Sequence, residues 1–135
     1  MTVELTPEAK AFIDAARVAR LATHMPGGGI HVVPICPALD GDRILVSTEP
    51  SRKVDHLRAN PSVGLAFDDY DEDWSLLRGL SISGKATIHE DGPVWDRCRD
   101  LLYEKFPQYE PDAEIVPGRT LAIEIDPTWI SRGGV

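Results

Sequence analysis

The chain switches between two hydrophobic periods, and each switch marks an element. Ala9, Phe12, Ile13 and Ala16 recur at helical spacing. Thr6 sits at the N-cap position, Pro7 at the first helical position and Glu8 beside the positive end of the helix dipole. Over residues 17–24 the period falls to two. Val18, Arg20, Ala22 and His24 alternate with Ala19, Leu21 and Thr23, which predicts a strand with unlike faces. Met25-Pro26-Gly27-Gly28-Gly29 is a turn that supplies positive φ, and residues 30–38 read as the return strand of a hairpin. Pro34 lies inside that strand. A residue without an N–H marks an edge, a bulge or a backbone left open to something else.

Residues 44–48 form a third strand after the Asp40-Gly41-Asp42 turn. That strand leads into Glu49 and Pro50, and then into a helix of about two turns with Ser51 at its N-cap and Val54 and Leu57 on one apolar face. Asn60-Pro61 stops the helix. In the fourth strand Val63, Leu65 and Phe67 alternate with Gly64 and Ala66, and the small-residue face admits a close backbone or a flat ligand. An acidic run follows, Asp68-Asp69-Tyr70-Asp71-Glu72-Asp73-Trp74, which reads equally as a solvated excursion. Residues 80–89 make a fifth strand, residues 93–106 the longest helix, and residues 107–118 a proline-rich loop. Leu121, Ile123 and Ile125 make a sixth strand, broken by Asp126-Pro127 with an extension at Trp129-Ile130. Six short strands, mostly in hairpins, predict a mainly β fold: a small antiparallel barrel with peripheral helices. Residues 1–135 read as a single domain without an internal repeat.

Composition narrows the function. Fourteen Lys and Arg face 22 Asp and Glu, a net charge of −8. Nucleic acid and anionic membrane both need a basic face, so neither is expected as a partner. The two cysteines, Cys36 and Cys98, are far apart and outside any CxxC pair, so buried free thiols are expected and no metal site. The N-terminus carries no basic region followed by an apolar run, and no stretch approaches the ~18 apolar residues of a membrane span. A cytoplasmic location is expected.

Against this acidic background Arg52 and Lys53 stand out. Cations in the first turn oppose the helix dipole, which favours anions there. Free amides, the Ser51 hydroxyl, a guanidinium and an ammonium together suit a phosphate. The same residues also suit a solvated turn with two surface cations.

The order Arg-Leu-Ala-Thr, Pro-Gly-Gly, His-Val-Val-Pro-Ile, Ser-Thr, Ser-Arg-Lys and Asn-Pro-Ser-Val, from Arg17 to about Ile125, resembles the pyridoxamine 5′-phosphate oxidase-like flavin/deazaflavin split-barrel family. The resemblance implies a six-stranded antiparallel split β-barrel of the FMN-binding kind. It implies a homodimer with cofactor sites at the subunit interface. It places Val33, Pro34 and Ile35 near a flavin or deazaflavin ring, Ser47 and Thr48 near the ring or ribityl chain, and Ser51, Arg52 and Lys53 on the cofactor phosphate. The basic C-terminal segment of the vitamin B6 oxidases is missing, as are the longer basic C-terminal regions of haem-degrading relatives. The short length, residues 17–23, His31-Val32-Val33-Pro34-Ile35 and the acidic run look most like a coenzyme F420-dependent subgroup. The resemblance thus implies an oxidoreductase that moves a hydride between F420 and a small organic substrate. FMN in the same fold is the alternative, and a non-catalytic flavin or deazaflavin carrier, or a small-molecule sensor, is a third reading. No catalytic acid is assigned: His31, Tyr70 and water are the candidate proton donors, with His24, His56 and His89 read as structural. Arg17, Arg20, Arg43 and Arg58 are candidates for the anionic polyglutamate tail of F420. Trp74 and Trp129 would wall a flat substrate or pack across the dimer.

Overall fold

The computed structural model describes residues 3–135. Its strands are β1 (Ala19–His24), β2 (Ile30–Ile35), β3 (Ala38–Asp40), β4 (Arg43–Thr48), β5 (Ser62–Asp69), β6 (Arg78–His89) and β7 (Leu121–Gly133). All pair antiparallel in one sheet, ordered β2-β1-β5-β6-β7-β4-β3. Ile35 near one edge and Ile44 and Val46 near the other share a single core with Leu21, Phe67 and Ile82. The sheet must therefore curl around that core, forming the half-barrel of a split-barrel fold.

Seven strands form where six are predicted, because residues 30–38 do not run as one strand. The chain leaves the sheet at Cys36-Pro37. β2 pairs with β1, while β3 pairs with β4 at the opposite edge. Pro37 has no N–H to continue a ladder and is fully buried, and its carbonyl accepts a 2.8 Å hydrogen bond from Lys105 Nζ. Pro34 stays in β2, opposite Arg20, and β2 is an edge strand, where proline is tolerated.

Asp126-Pro127 does not end the last strand. Ser83 faces Trp129 while Gly84 faces Pro127, so Thr128 is an extra residue and the ladder bulges around it. Gly84 is required there: a Cβ would lie 2.8 Å from the Asp126 carbonyl oxygen and 3.0 Å from Ile125 Cγ2. Gly84→Ala is expected to lose about 1–3 kcal/mol of stability by overpacking, read as a lower urea midpoint.

The helices are α1 (Pro7–Ala15), α2 (Arg52–Ala59), α3 (Pro93–Lys105) and the single turn α4 (Tyr109–Asp112), which lies in the segment predicted as loop. Thr6 caps α1 as predicted, accepting from the Ala9 amide at 3.1 Å. α3 covers the second face of β4 and β7. There Leu45 and Ala122 meet Trp95, Cys98, Leu102 and Phe106, while Ile44, Val46, Ile123 and Ile125 fill the main core. This two-sided burial explains the unbroken apolar run Ile44-Leu45-Val46. Cys98 is buried as expected, and burial pushes its thiol up to about 12; Cys36 is only half-buried.

The acidic run is solvated and internally ordered. Asp68 and Asp69 belong to β5. The Asp73 amide donates to Asp71 Oδ1 at 2.8 Å, and Asp73 Oδ1 accepts from the Ser75 amide at 3.0 Å and the Ser75 hydroxyl at 2.7 Å. These bonds cap a 3-10 turn at Trp74–Leu76 and hold the Asp73 carboxyl below its ordinary pKa. No helix among the described residues is long and apolar enough to cross a membrane.

Candidate functional site

β4 delivers the chain to Thr48, and α2 begins four residues later. Val54 and Leu57 bury the inner face of α2, and His56 is buried with its Nδ1 3.0 Å from Thr23 Oγ1. Ser51 occupies the N-cap in an extended conformation, φ −157° and ψ 175°, but its hydroxyl caps no amide. Its oxygen lies 3.4 Å from Thr48 Oγ1, and Thr48 donates to the Glu49 carbonyl at 2.8 Å. The first-turn amides are thus left without the side-chain acceptor that a serine N-cap ordinarily supplies.

The two cations that follow differ from all the others. Of the fourteen Lys and Arg, Lys10, Arg20, Arg43, Arg58, Arg78, Arg97 and Arg119 pair with carboxylates. Arg17, Lys85, Lys105 and Arg132 donate to hydroxyl or carbonyl oxygens, and Arg99 lies over the Trp95 and Tyr103 rings. Among the described residues, only Arg52 and Lys53 have no partner. Arg52 is exposed and Lys53 half-buried. Burial pushes the Lys53 ammonium below the ordinary lysine value, with no carboxylate to offset it.

Lys53 faces a cleft of about 340 Å³ lined by Val18, Pro34, Ile35, Cys36, Ser47 and Tyr109. Four of the residues predicted from sequence, Pro34, Ile35, Ser47 and Lys53, therefore meet at one place. They come from β2, β4 and α2, which touch only because the sheet curls. The other four do not line this cleft. The Val33 side chain packs against the main core. Thr48 is buried and tied to Glu49. Ser51 lines a neighbouring cleft of about 430 Å³ with Val54, Arg58, Gly118 and Arg119. Arg52 is exposed and lines neither cleft.

Val18, Cys36 and Tyr109 were missed in the sequence. Val18 and Cys36 lie inside the predicted strands 17–24 and 30–38 but just outside the observed β1 and β2, and their facing follows from where those strands end. Tyr109 lies in the segment read as loop and carries no periodic signal. Its hydroxyl is held above the ordinary tyrosine pKa by burial, with a hydrogen bond to Ser47 opposing the shift.

The candidate proton donors lie elsewhere. His31 meets the His56 ring edge-on at 5.1 Å, and its Nδ1 is buried. Tyr70 is exposed and bonded to Glu72 and Trp74. His89 lies 3.0 Å from Glu124, a structural contact. The four arginines considered for a polyglutamate tail are all engaged: Arg20 with Asp68, Arg43 with Asp126, Arg58 with Glu90, and Arg17 over the Phe106 ring at 4.2 Å. Trp74 and Trp129 pack into neither core.

A flavin-type phosphate suits this donor set: an unpaired ammonium, an unpaired guanidinium, the Ser51 hydroxyl and first-turn amides with no side-chain cap. The chain also resembles solved structures across nearly its full length. A conserved hypothetical protein, Rv2991 from Mycobacterium tuberculosis, superposes with a TM-score of 0.83 at 24% identity, over 97% of this chain and 85% of that one. An FAD-binding protein from Mesorhizobium loti superposes with a TM-score of 0.77 at 21% identity, over 98% and 95%. An F420 reductase superposes with a TM-score of 0.72 at 21% identity, over 94% and 98%. At such identities these likenesses establish the fold alone. No curated protein matches the chain. The sequence profile described as pyridoxamine 5′-phosphate oxidase matches residues 5–132, which span the sheet, α2 and the cleft, and the chain belongs to that family.

Proposed function

We propose that the Lys53 cleft binds the phosphate-bearing flavin-type cofactor of an oxidoreductase, with coenzyme F420 as the cofactor and FMN as the alternative. The observation that carries this reading is the isolation of Arg52 and Lys53. Every other cation of the described chain has a partner, while these two stand unpartnered at a helix start whose serine side chain caps no amide. An uncompensated, half-buried ammonium is costly, and a bound phosphate anion offsets that cost. Family membership supports a flavin-type ligand. The F420 reductase and the FAD-binding protein of the same fold support the two choices of ring.

In this reading Lys53, Arg52, Ser51 and the α2 amides hold the phosphate. Pro34 and Ile35 lie beside the ring, with Val33 reaching it only through its backbone, and Ser47 and Thr48 stand toward the ribityl side. The cofactor supplies hydride chemistry toward a small organic substrate. The protein supplies position and a partly dry wall. A second copy of the chain covers the outer face of the sheet, where Ile30 (56% exposed), Val32 (59%) and Trp129 (54%) surround small residues on β5 and β6. In this reading the cofactor sites lie at the interface of a homodimer, and the exposed apolar side chains of that face support it.

The test is a side-by-side fluorescence titration of purified protein with F420, FMN and haemin, with sedimentation of each mixture. Saturable F420 binding by a dimer, with FMN weaker, supports the reading. FMN preference selects the alternative. Binding of haemin alone, or of none of the three, overturns both. Cofactor binding without turnover on any acceptor leaves the carrier function.

Lys53 makes this binding pH-dependent. Its free pKa lies below the ordinary 10.5, and a bound phosphate favours the charged form. Affinity should be flat below the free-protein pKa and fall as pH rises through it. In Lys53→Arg, whose guanidinium stays protonated, the alkaline fall should disappear. Titrating both proteins with the same ligand cancels the ligand's own ionisations.

A further inference from the structure

The segment between α3 and β7 carries a residue that the phosphate reading does not use. Tyr109 closes the Lys53 cleft against β2 and β4, and the segment that holds it is braced at several points. The Tyr109 amide donates to the Phe106 carbonyl at 3.0 Å, and the two rings meet edge-on at 5.9 Å. Phe106 is itself buried in the second core. Farther on, the Ile115 amide donates to the Tyr103 hydroxyl at 2.9 Å, and the Val116 amide donates to Thr120 Oγ1 at 2.8 Å. Tyr109 is thus a wall fixed in place.

The cleft that it closes has unlike parts. Lys53 is its one cation. Val18, Pro34 and Ile35 are apolar. Ser47 and Tyr109 contribute two neutral hydroxyls, with Cys36 beside them. Burial keeps the phenol in its protonated form well past neutral pH, so it remains a hydrogen-bond donor. The Ser47 hydroxyl lines the same cleft beside it. A phosphate draws on the cation first, and its requirement is met at Lys53 without the neutral pair on the apolar wall. A flat ring with carbonyl groups along one edge would use both the wall and the pair.

Resting on the proposed cofactor site, we infer that Tyr109, paired with Ser47, is a ring-binding residue of this cleft: its hydroxyl hydrogen-bonds the carbonyl-bearing edge of the ring, while Lys53 holds the phosphate. The two roles separate in a ligand that lacks the phosphate. Neither α4 nor Tyr109 carries a signal in the hydrophobic pattern, and the role rests on where the braced segment places the phenol.

The test uses two ligand pairs, FMN with riboflavin and F420 with its phosphate-free deazaflavin, each titrated by fluorescence. Tyr109→Phe keeps the ring and its packing on Phe106 and should keep the melting temperature. It should weaken the phosphorylated and phosphate-free ligands alike, by about three- to tenfold, the effect of one neutral hydrogen bond. Lys53→Ala should weaken only the phosphorylated members. Wild-type affinity for all ligands in Tyr109→Phe overturns the inference, and so does a loss confined to the phosphorylated ligands. If Tyr109→Phe does not fold, Ser47→Ala serves: equal weakening of both members supports the pair, and unchanged binding overturns it. Failure of wild-type protein to bind any of the four ligands overturns the cofactor site itself, a result distinct from indifference of the variants.

Discussion

Replacing Arg52 and Lys53 together by alanine is expected to weaken cofactor binding by at least ~3 kcal/mol, more than about a hundredfold in Kd. Charge-assisted hydrogen bonds to a phosphate are worth about 1.5–3 kcal/mol each, and the double variant removes at least two. Neither side chain makes a hydrogen bond or ion pair within the described chain, so the fold should be little affected. Removing a half-buried, uncompensated ammonium should leave the melting temperature of the free protein unchanged or slightly raised, since burial already disfavours its charged form. The combination of lost binding and retained stability is the signature of a ligand site. Binding as tight as wild type in a titration by fluorescence quenching would remove the phosphate assignment.

Trp95→Ala should produce the largest loss of stability, about 3–5 kcal/mol. Trp95 is 5% exposed and anchors α3 on β3, β4 and β7. Its indole Nε1 donates to the Thr120 carbonyl at 2.8 Å in a buried setting. Truncation would therefore open a cavity and orphan a carbonyl together. A domain of this kind is stable by only about 5–15 kcal/mol, so the variant should unfold at a much lower urea concentration. Trp95→Phe keeps most of the volume and should lose less, and the difference between the two variants separates packing from the hydrogen bond. Because α3 leads into the braced segment that holds Tyr109, the alanine variant should also bind phosphate-free ring ligands more weakly, even where it remains folded. A Trp95→Ala protein with an unchanged urea midpoint would show that the second core contributes little.

The local devices of this chain were legible from residue order because they act over a few residues. The Thr6 cap, the inward set Val63, Leu65 and Phe67, and the start of α2 after Ser51 follow from covalent spacing and backbone period. The adjacency of Arg52 and Lys53 is likewise a fact of sequence. That they are the unpartnered cations is a tertiary fact. It depends on the twelve others finding carboxylates, carbonyls, hydroxyls or rings, many of them distant in the chain, as Arg20 finds Asp68 and Arg119 finds Glu49. The same holds for the splitting of residues 30–38, which Pro37 permits but only the pairing of β3 with β4 completes. It holds for the last strand, where Asp126-Pro127 reads as a break until β6 absorbs an extra residue as a bulge. It holds most for Tyr109, whose place in the cleft comes from Phe106, Tyr103 and Thr120 bracing a segment with no periodicity of its own. Local hydrogen bonding and periodicity set which elements form. The curl of one sheet around one core decides which of their residues meet.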